Sequence, residues 1–432
     1  MSAVEAARAD GDDTSWARDA TFVAAELQRA RDRTLGLVDA LDEDEQRAQV
    51  SPLMSPMVWD LAHIGNYEEL WLLRELDGRP AIDEALDDLY NAFEHPRWER
   101  PSLPILGPRE ARAYDRQVRD EVLALLSGAD LRPDNGVRLL ADGFVYGMVI
   151  QHEHQHDETL LATRQLMGAA ARPPDGATEA PRHPRIDASS LPPMRTVDEG
   201  PVTVGTATHP WAYDNEHRAH EVDLPAFRID TFPVTNRAYC EFIRAGGYEA
   251  ESAWSPEGWR WRNEHASAPD AAHPAFWHDE GGGAFSVERF GVRLDLETIL
   301  DEPVQHVCWF EADAFARWSG KRLPKEAEWE KAAQGTPSPY PGAAADLNLG
   351  QRHTGPSVVG AHPGGASRWG GVGGSVTSTR SAASEPDPDA SLGVHSSDRM
   401  IALAQCRSAS STSTVTMSSR TRSRPLIRSV SP

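Results

Sequence analysis

The chain has 432 residues, enough for two or three domains each with its own core. Its formal charge of −23, from 66 acidic and 43 basic residues, argues against nucleic acid or an anionic membrane surface as the main partner. The three cysteines, Cys240, Cys308 and Cys406, are too few and too scattered for a disulfide framework or a cysteine-rich zinc site. The opening MSAVEAARADGDDTSW has neither a basic n-region nor an apolar h-region, so no secretory signal is expected. No apolar run approaches the roughly 18–20 residues needed to span a bilayer. The expectation is a cytoplasmic protein without membrane contact. Lysine occurs only at Lys321, Lys325 and Lys331, which reads as genome composition or salt adaptation rather than a binding signal.

Residues 17–42, 56–77 and 108–127 carry apolar side chains at helical spacing, and a fourth such segment spans about 136–167. Four long amphipathic helices within 15–169 predict a four-helix bundle, a fold that builds metal sites from side chains on facing helices. The breaker-rich stretch 170–194, with AARPPDGATEAPRHPR, reads as a linker. From 195 short β-like runs, GPVTVGT and HEVDLPAFRIDTFPVT, alternate with turns and the tryptophan-rich loop AWSPEGWRWRNE. Helical pieces are expected at 236–244 and 311–318, which makes 195–366 an α+β domain. Beyond it, 367–432 holds 17 serines in 66 residues. Its 8 arginines against 4 acids, a net of +4, leave −27 on the other 366 residues. Such a composition buries too little apolar surface to offset its ordering entropy, so disorder is expected there.

The fourth helix contains YGMVIQHEHQHDETLL, three histidines on alternating positions. On a helix His152 and His156 lie about 40° apart around the axis and about 6 Å apart along it, so both reach one metal. His154 lies roughly 200° away and is excluded. An i, i+4 histidine pair taken alone is more often solvated than ligating. The deciding feature is His63, in the middle of the apolar face MVWDLAHIGNYEELW on another helix. Three neutral imidazoles with open positions suit zinc or iron(II). Glu153 also completes an H-e-x-x-H pattern, the zinc-protease reading. The longer protease pattern wants Gly at 159 and His at 162, where this chain has Thr159 and Ala162. Glu153 is then expected to be a solvated group or one behind the ligands.

WDLAHIGNYEELWLLR followed by GMVIQHEHQHDETL resembles the DinB-like bundle of ergothioneine-biosynthesis sulfoxide synthases, the hercynine oxygenases. YDNEHRAHEVDLPAFRIDTFPVTNRAYCEFIRAGGY, WSPEGWRWR and PVQHVCWFEADAFARWSGKRLPKEAEWEKAA resemble that family's second domain, a C-type-lectin-like fold of the formylglycine-generating-enzyme type. The resemblance covers about 15–366. It implies His63, His152 and His156 as Fe(2+) ligands, and Gln155 as a contact to the trimethylated histidine substrate. It further implies that Arg97 and Arg100, in HPRWERPSLP, hold the carboxylates of γ-glutamylcysteine; forked guanidiniums suit carboxylates. The implied reaction joins a thiol, hercynine and O2 into a sulfoxide with a new C–S bond. All four electrons come from the two substrates.

The family's second domain continues through GDVWEWT-type and RGGSW-type segments that supply an active-site tyrosine. After Ser367 this chain carries neither, and the abrupt change to Ser/Arg/Thr-rich text resembles a shifted reading frame. The expectation is a truncated second domain and impaired activity, with no catalytic residue identifiable in the sequence. Two further readings stay open: the zinc metalloprotease, and a non-catalytic lectin-like binding module whose bundle histidines are structural. Ovothiol synthases share both domains but append a methyltransferase, which nothing here resembles. A selenium donor remains an alternative to the thiol.

Overall fold

The structure is a computed structural model and describes residues 14–168, 185–268, 271–335, 347–348, 353 and 355–371. The first part of the expected linker, to residue 184, and the serine-rich stretch from 372 onward lie outside the described residues.

Four long helices form the first domain: α1 Ala20–Val38, α2 Met57–Glu68, α3 Pro108–Leu126 and α4 Phe144–Met167. Each follows the predicted periodicity. α1 starts where the Asp19 carboxylate accepts the Thr21 and Phe22 amides, and α3 starts at Pro108, whose missing N–H costs nothing in a first turn. α2 continues as a π-helical stretch, Glu69–Leu76, so the expected 56–77 helix is one rod with a widened last third. The fourth helix begins later than periodicity implied. Asp142 (φ 52°) and Gly143 (φ 65°) adopt left-handed backbone and break the chain direction just before Phe144. At Gly143 a Cβ would also overlap the carbonyl of Ala17, which leaves room only for glycine.

α1 packs along α4 and α2 along α3, with α2 also lying against α4. Val23, Leu27, Trp59, Leu61, Val118, Val122, Val145 and Ile150 are all enclosed in the shared core.

Among the described residues, the second domain has three small antiparallel sheets: β1 Met194–Val197 with β4 Phe227–Asp230, β2 Gly200–Val204 with β3 His220–Leu224, and β5 Trp277–Gly281, β6 Ala284–Arg289 and β7 Val292–Asp295 in order. The predicted run 220–235 is divided between two sheets. Pro225, which has no N–H to donate, follows β3, and the chain leaves for a different partner strand. Helices α5 Asn236–Arg244, α6 Pro256–Glu264, α7 Trp309–Trp318 and α8 Glu326–Ala333 complete it. Their core is aromatic: Tyr239, Phe242, Tyr248, Trp254, Trp261 and Phe315. Segment 355–371 packs back on this domain, with the Gly360 carbonyl accepting the Arg185 and Ile186 amides and the Trp369 indole donating to the Lys331 carbonyl at 2.9 Å.

The two domains are keyed together along α4. Trp211 of the second domain is buried against Gly147, where any Cβ would overlap its indole. Gln151 donates to the Trp211 carbonyl at 2.9 Å and Gln155 to the Tyr213 hydroxyl at 2.9 Å. Farther along, Gln165 donates to the Glu288 carbonyl and accepts the Phe290 amide, both at 2.9 Å.

Candidate metal centre

A residue on an α-helix turns about 100° from its predecessor, so a single helix can present several chemistries to different neighbours. α4 does so. Gly147, Gln151, Gln155 and Gln165 meet the second domain, His152 and His156 face α2, and Glu153 and Asp157 face α1 and α3.

On the α2 side, His63, His152 and His156 converge, with one ligand nitrogen from each within 4.8 Å of the others. α2 is enclosed from Met57 to Asn66, which forces His63 inward despite its polarity. Its Nδ1 lies 2.8 Å from the Tyr90 carbonyl, and the Nδ1 of His156 lies 3.2 Å from Asp60 Oδ1. Acceptors at both outer nitrogens select the Nδ1–H tautomers and leave the Nε2 lone pairs for a metal. Flat aromatic neighbours hold the ring planes: His63 stacks on Trp59 (4.8 Å, 14°) and His152 on Tyr67 (3.8 Å, 14°).

Burial, then the electrostatic influence of the neighbouring His156 imidazole, pushes His63 down to about 3, and the same two influences, with His63, hold His152 well below the usual imidazole range. Near neutral pH both rings are therefore neutral and ready to ligate. The donor set, three imidazole nitrogens with no carboxylate among them, suits iron(II) or zinc.

Of the other predicted residues, Arg100 borders this cluster through Trp59. Arg100 is buried, its guanidinium 3.5 Å from the centroid of Trp59, so that arginine, indole and His63 form one stack. It donates to Ser55 Oγ (2.6 Å) and to the His95 carbonyl (3.0 Å), and burial lowers it to about 10 despite the attraction of Asp60. Arg97 is exposed and donates to the Leu53 carbonyl at 2.8 Å. Gln155 stands at the seam between bundle and second domain, on Tyr213. His154 is turned away, beside Arg33 and 3.2 Å from Asp157, in keeping with its exclusion as a ligand.

Glu153 is neither solvated nor near the three imidazoles' free nitrogens. It is fully buried, accepting from Arg31 (2.7 Å), Thr34 (2.9 Å) and Arg119 (2.9 Å), while Glu68 accepts from the same two arginines at 2.6–3.0 Å. Burial disfavours its charge, but Arg31 and Arg119 outweigh that and hold it down to about 2. Two arginines and two glutamates close the charge balance. Asp115, a third acid in the cluster, is pushed up to about 7 by burial and, against the pull of Arg31, by the negative Glu153 and Glu68. A protease base must reach water at the metal. With both oxygens engaged by the cluster, Glu153 does not serve as one.

Sequence patterning alone did not single out Trp59, Asp60, Tyr67, Tyr90 or Tyr213. For the first three a signal exists: positions i−4, i−3 and i+4 from His63 share its helix face.

Residues 26–160 match the DinB superfamily, and 179–371 match the sulfatase-modifying factor enzyme 1-like domain. The chain is 44% identical over 360 residues to the hercynine oxygenase of Mycolicibacterium thermoresistibile, covering 81% of this chain and 76% of that protein. The hercynine oxygenase of Mycobacterium tuberculosis is likewise 44% identical over 360 residues, covering 81% of this chain and 80% of its own. A shorter alignment, 40% identical over 129 residues, links 28% of this chain to 40% of the formylglycine-generating enzyme of Streptomyces coelicolor. The order of the two domains, the three converging histidines and this extent of identity have one explanation: the chain belongs to the hercynine oxygenase family.

Proposed function

We propose that this protein is an iron(II)-dependent sulfoxide synthase that joins the thiol of γ-glutamylcysteine to the imidazole of hercynine, consuming O2, in ergothioneine biosynthesis. The observation that carries the reading is the three-histidine cluster in a hercynine oxygenase relative, with the outer nitrogens of His63 and His156 tied to acceptors. Iron is preferred over zinc because O2 activation needs a redox-active metal. The balance closes without further cofactor: thiol S–H, imidazole C–H and O2 give the C–S bond, the sulfoxide oxygen and one water. Iron, when bound, supplies the O2 chemistry; the chain's own residues bind and orient. Arg97 and Arg100 would take the donor's carboxylates. Gln155, at the domain seam, would face hercynine.

Incubating the iron-loaded chain with hercynine, γ-glutamylcysteine and O2, and following the sulfoxide by mass spectrometry, tests this. Because the family's tyrosine-bearing segment has no counterpart after Ser367, the expected result is near-background turnover by this chain and substantial turnover once the reading frame is restored at codon 367. Equal turnover by the two would show the serine-rich segment to be functional. No sulfoxide from the restored protein would overturn the assignment.

In the restored protein, Arg97→Leu with Arg100→Leu is expected to raise the apparent KM for the thiol at least about tenfold more than that for hercynine. Each charge-assisted hydrogen bond lost is worth roughly 1.5–3 kcal/mol. Equal effects on both substrates would argue against the arginines as the thiol-donor clamp.

A further inference from the structure

Asp60 has no part in the reaction outlined above, yet it is 1% exposed in the most enclosed part of α2. A buried carboxylate is costly unless it is paired. Its Oδ1 is 3.2 Å from His156 Nδ1, while its buried Oδ2 has no hydrogen-bond partner. The other charges facing it are Arg97 and Arg100. The three imidazoles are therefore not equivalent. His63 leans on the neutral Tyr90 carbonyl, and His156 alone leans on a carboxylate. His154 with Asp157 repeats the same pair of side chains at the same 3.2 Å on another face, but there Thr34 also donates to the acid, at 2.7 Å.

We propose that Asp60 is a positioning residue of the metal centre, fixing His156 as the Nδ1–H tautomer with Nε2 turned toward His63 and His152, and that the same carboxylate faces Arg97 and Arg100. The proposal rests on the three-histidine reading of the site. A carboxylate behind a ligating imidazole fixes its orientation and raises its basicity, so the metal ion itself, apart from any turnover, reports on Asp60.

The test is cobalt(II) titration of the full chain, wild type beside Asp60→Asn, which keeps the shape of the side chain and removes its charge. Cobalt affinity is expected to fall about 10- to 100-fold, with the visible absorption bands shifted at saturation, while the thermal melt of the metal-free protein changes little. Unchanged affinity and unchanged bands would overturn the proposal. If Asp60→Asn does not fold, long-range 1H–15N spectra of zinc-loaded wild type labelled with 15N-histidine decide. A hydrogen-bonded Nδ1–H on His156 supports the proposal, and metal on its Nδ1 refutes it. A wild type that binds no cobalt, or a His156→Ala protein that binds it as well as wild type, would instead refute the metal centre itself.

Discussion

His63→Ala and His152→Ala are each expected to abolish stoichiometric metal retention, while His154→Ala leaves it intact. Metal binding worth roughly 10–16 kcal/mol in a four-ligand site implies about 3 kcal/mol, or about 100-fold in affinity, for each ligand removed. Elemental analysis after purification in iron(II) reads the result directly; full iron in either variant would sink the assignment. The pair also carries a pH signature in the metal-free protein. His63 titrates at about 3 when folded, and His152 is likewise held low. An unfolded imidazole titrates near 6.5. Between these values the unfolded chain binds protons that the folded bundle refuses, so stability falls as pH drops from about 6.5 toward 3. His63→Ala should flatten that slope, as measured by urea melts across the range.

Glu153→Gln is expected to lower stability by about 3–5 kcal/mol, because it removes a carboxylate that both Arg31 and Arg119 bond directly and leaves them Glu68, with Asp115 only 4.0 Å from Arg31, in a dry interior. For a domain of this size that amounts to a fall in melting temperature on the order of 10 °C. The substitution separates two readings of the H-e-x-x-H string. In a protease, loss of the general base would spare the fold and abolish peptide hydrolysis. Here the fold is expected to weaken, and folded molecules at low temperature are expected still to bind metal through His63, His152 and His156. A melt unchanged from wild type would show the cluster to be energetically slack. Acid acts on the same group: Glu153 is held at about 2 in the fold against an ordinary 4.5, so its contribution is complete above about 4.5 and is lost as pH falls toward 2.

The four bundle helices, the shared face of His152 and His156 on α4 and the separation of His154 from them were legible in the sequence, because each depends on a local period. Apolar residues recur every three to four positions, and 100° per residue places His152 and His156 together and His154 apart. The inward placement of His63 was also legible, since a histidine inside MVWDLAHIG is carried inward by its neighbours. The strand runs near 200 and 220 and the helices expected at 236–244 and 311–318, the second of which starts two residues earlier at Trp309, followed from the same local rules.

What tertiary structure decided is whatever depends on residues distant in the chain. Glu153 reads as a solvated acid or a catalytic base until Arg31 arrives from α1, Arg119 from α3 and Glu68 from α2, and no local period foretells that meeting. Trp211 reads as one more loop tryptophan until it docks against Gly147, whose missing Cβ is the space the indole occupies. The late start of α4 is of the same kind. Helical periodicity continues through 136–143, but Asp142 takes a left-handed backbone, held by the Arg18 guanidinium at 2.7 Å and capped by the Trp211 indole on its carbonyl at 3.2 Å. Arg18 precedes α1 and Trp211 comes from the second domain. Hydrophobic spacing reports which face of a helix is buried, whereas the pairing of buried charges and the fit of one side chain into a gap left by another are fixed only when the segments meet.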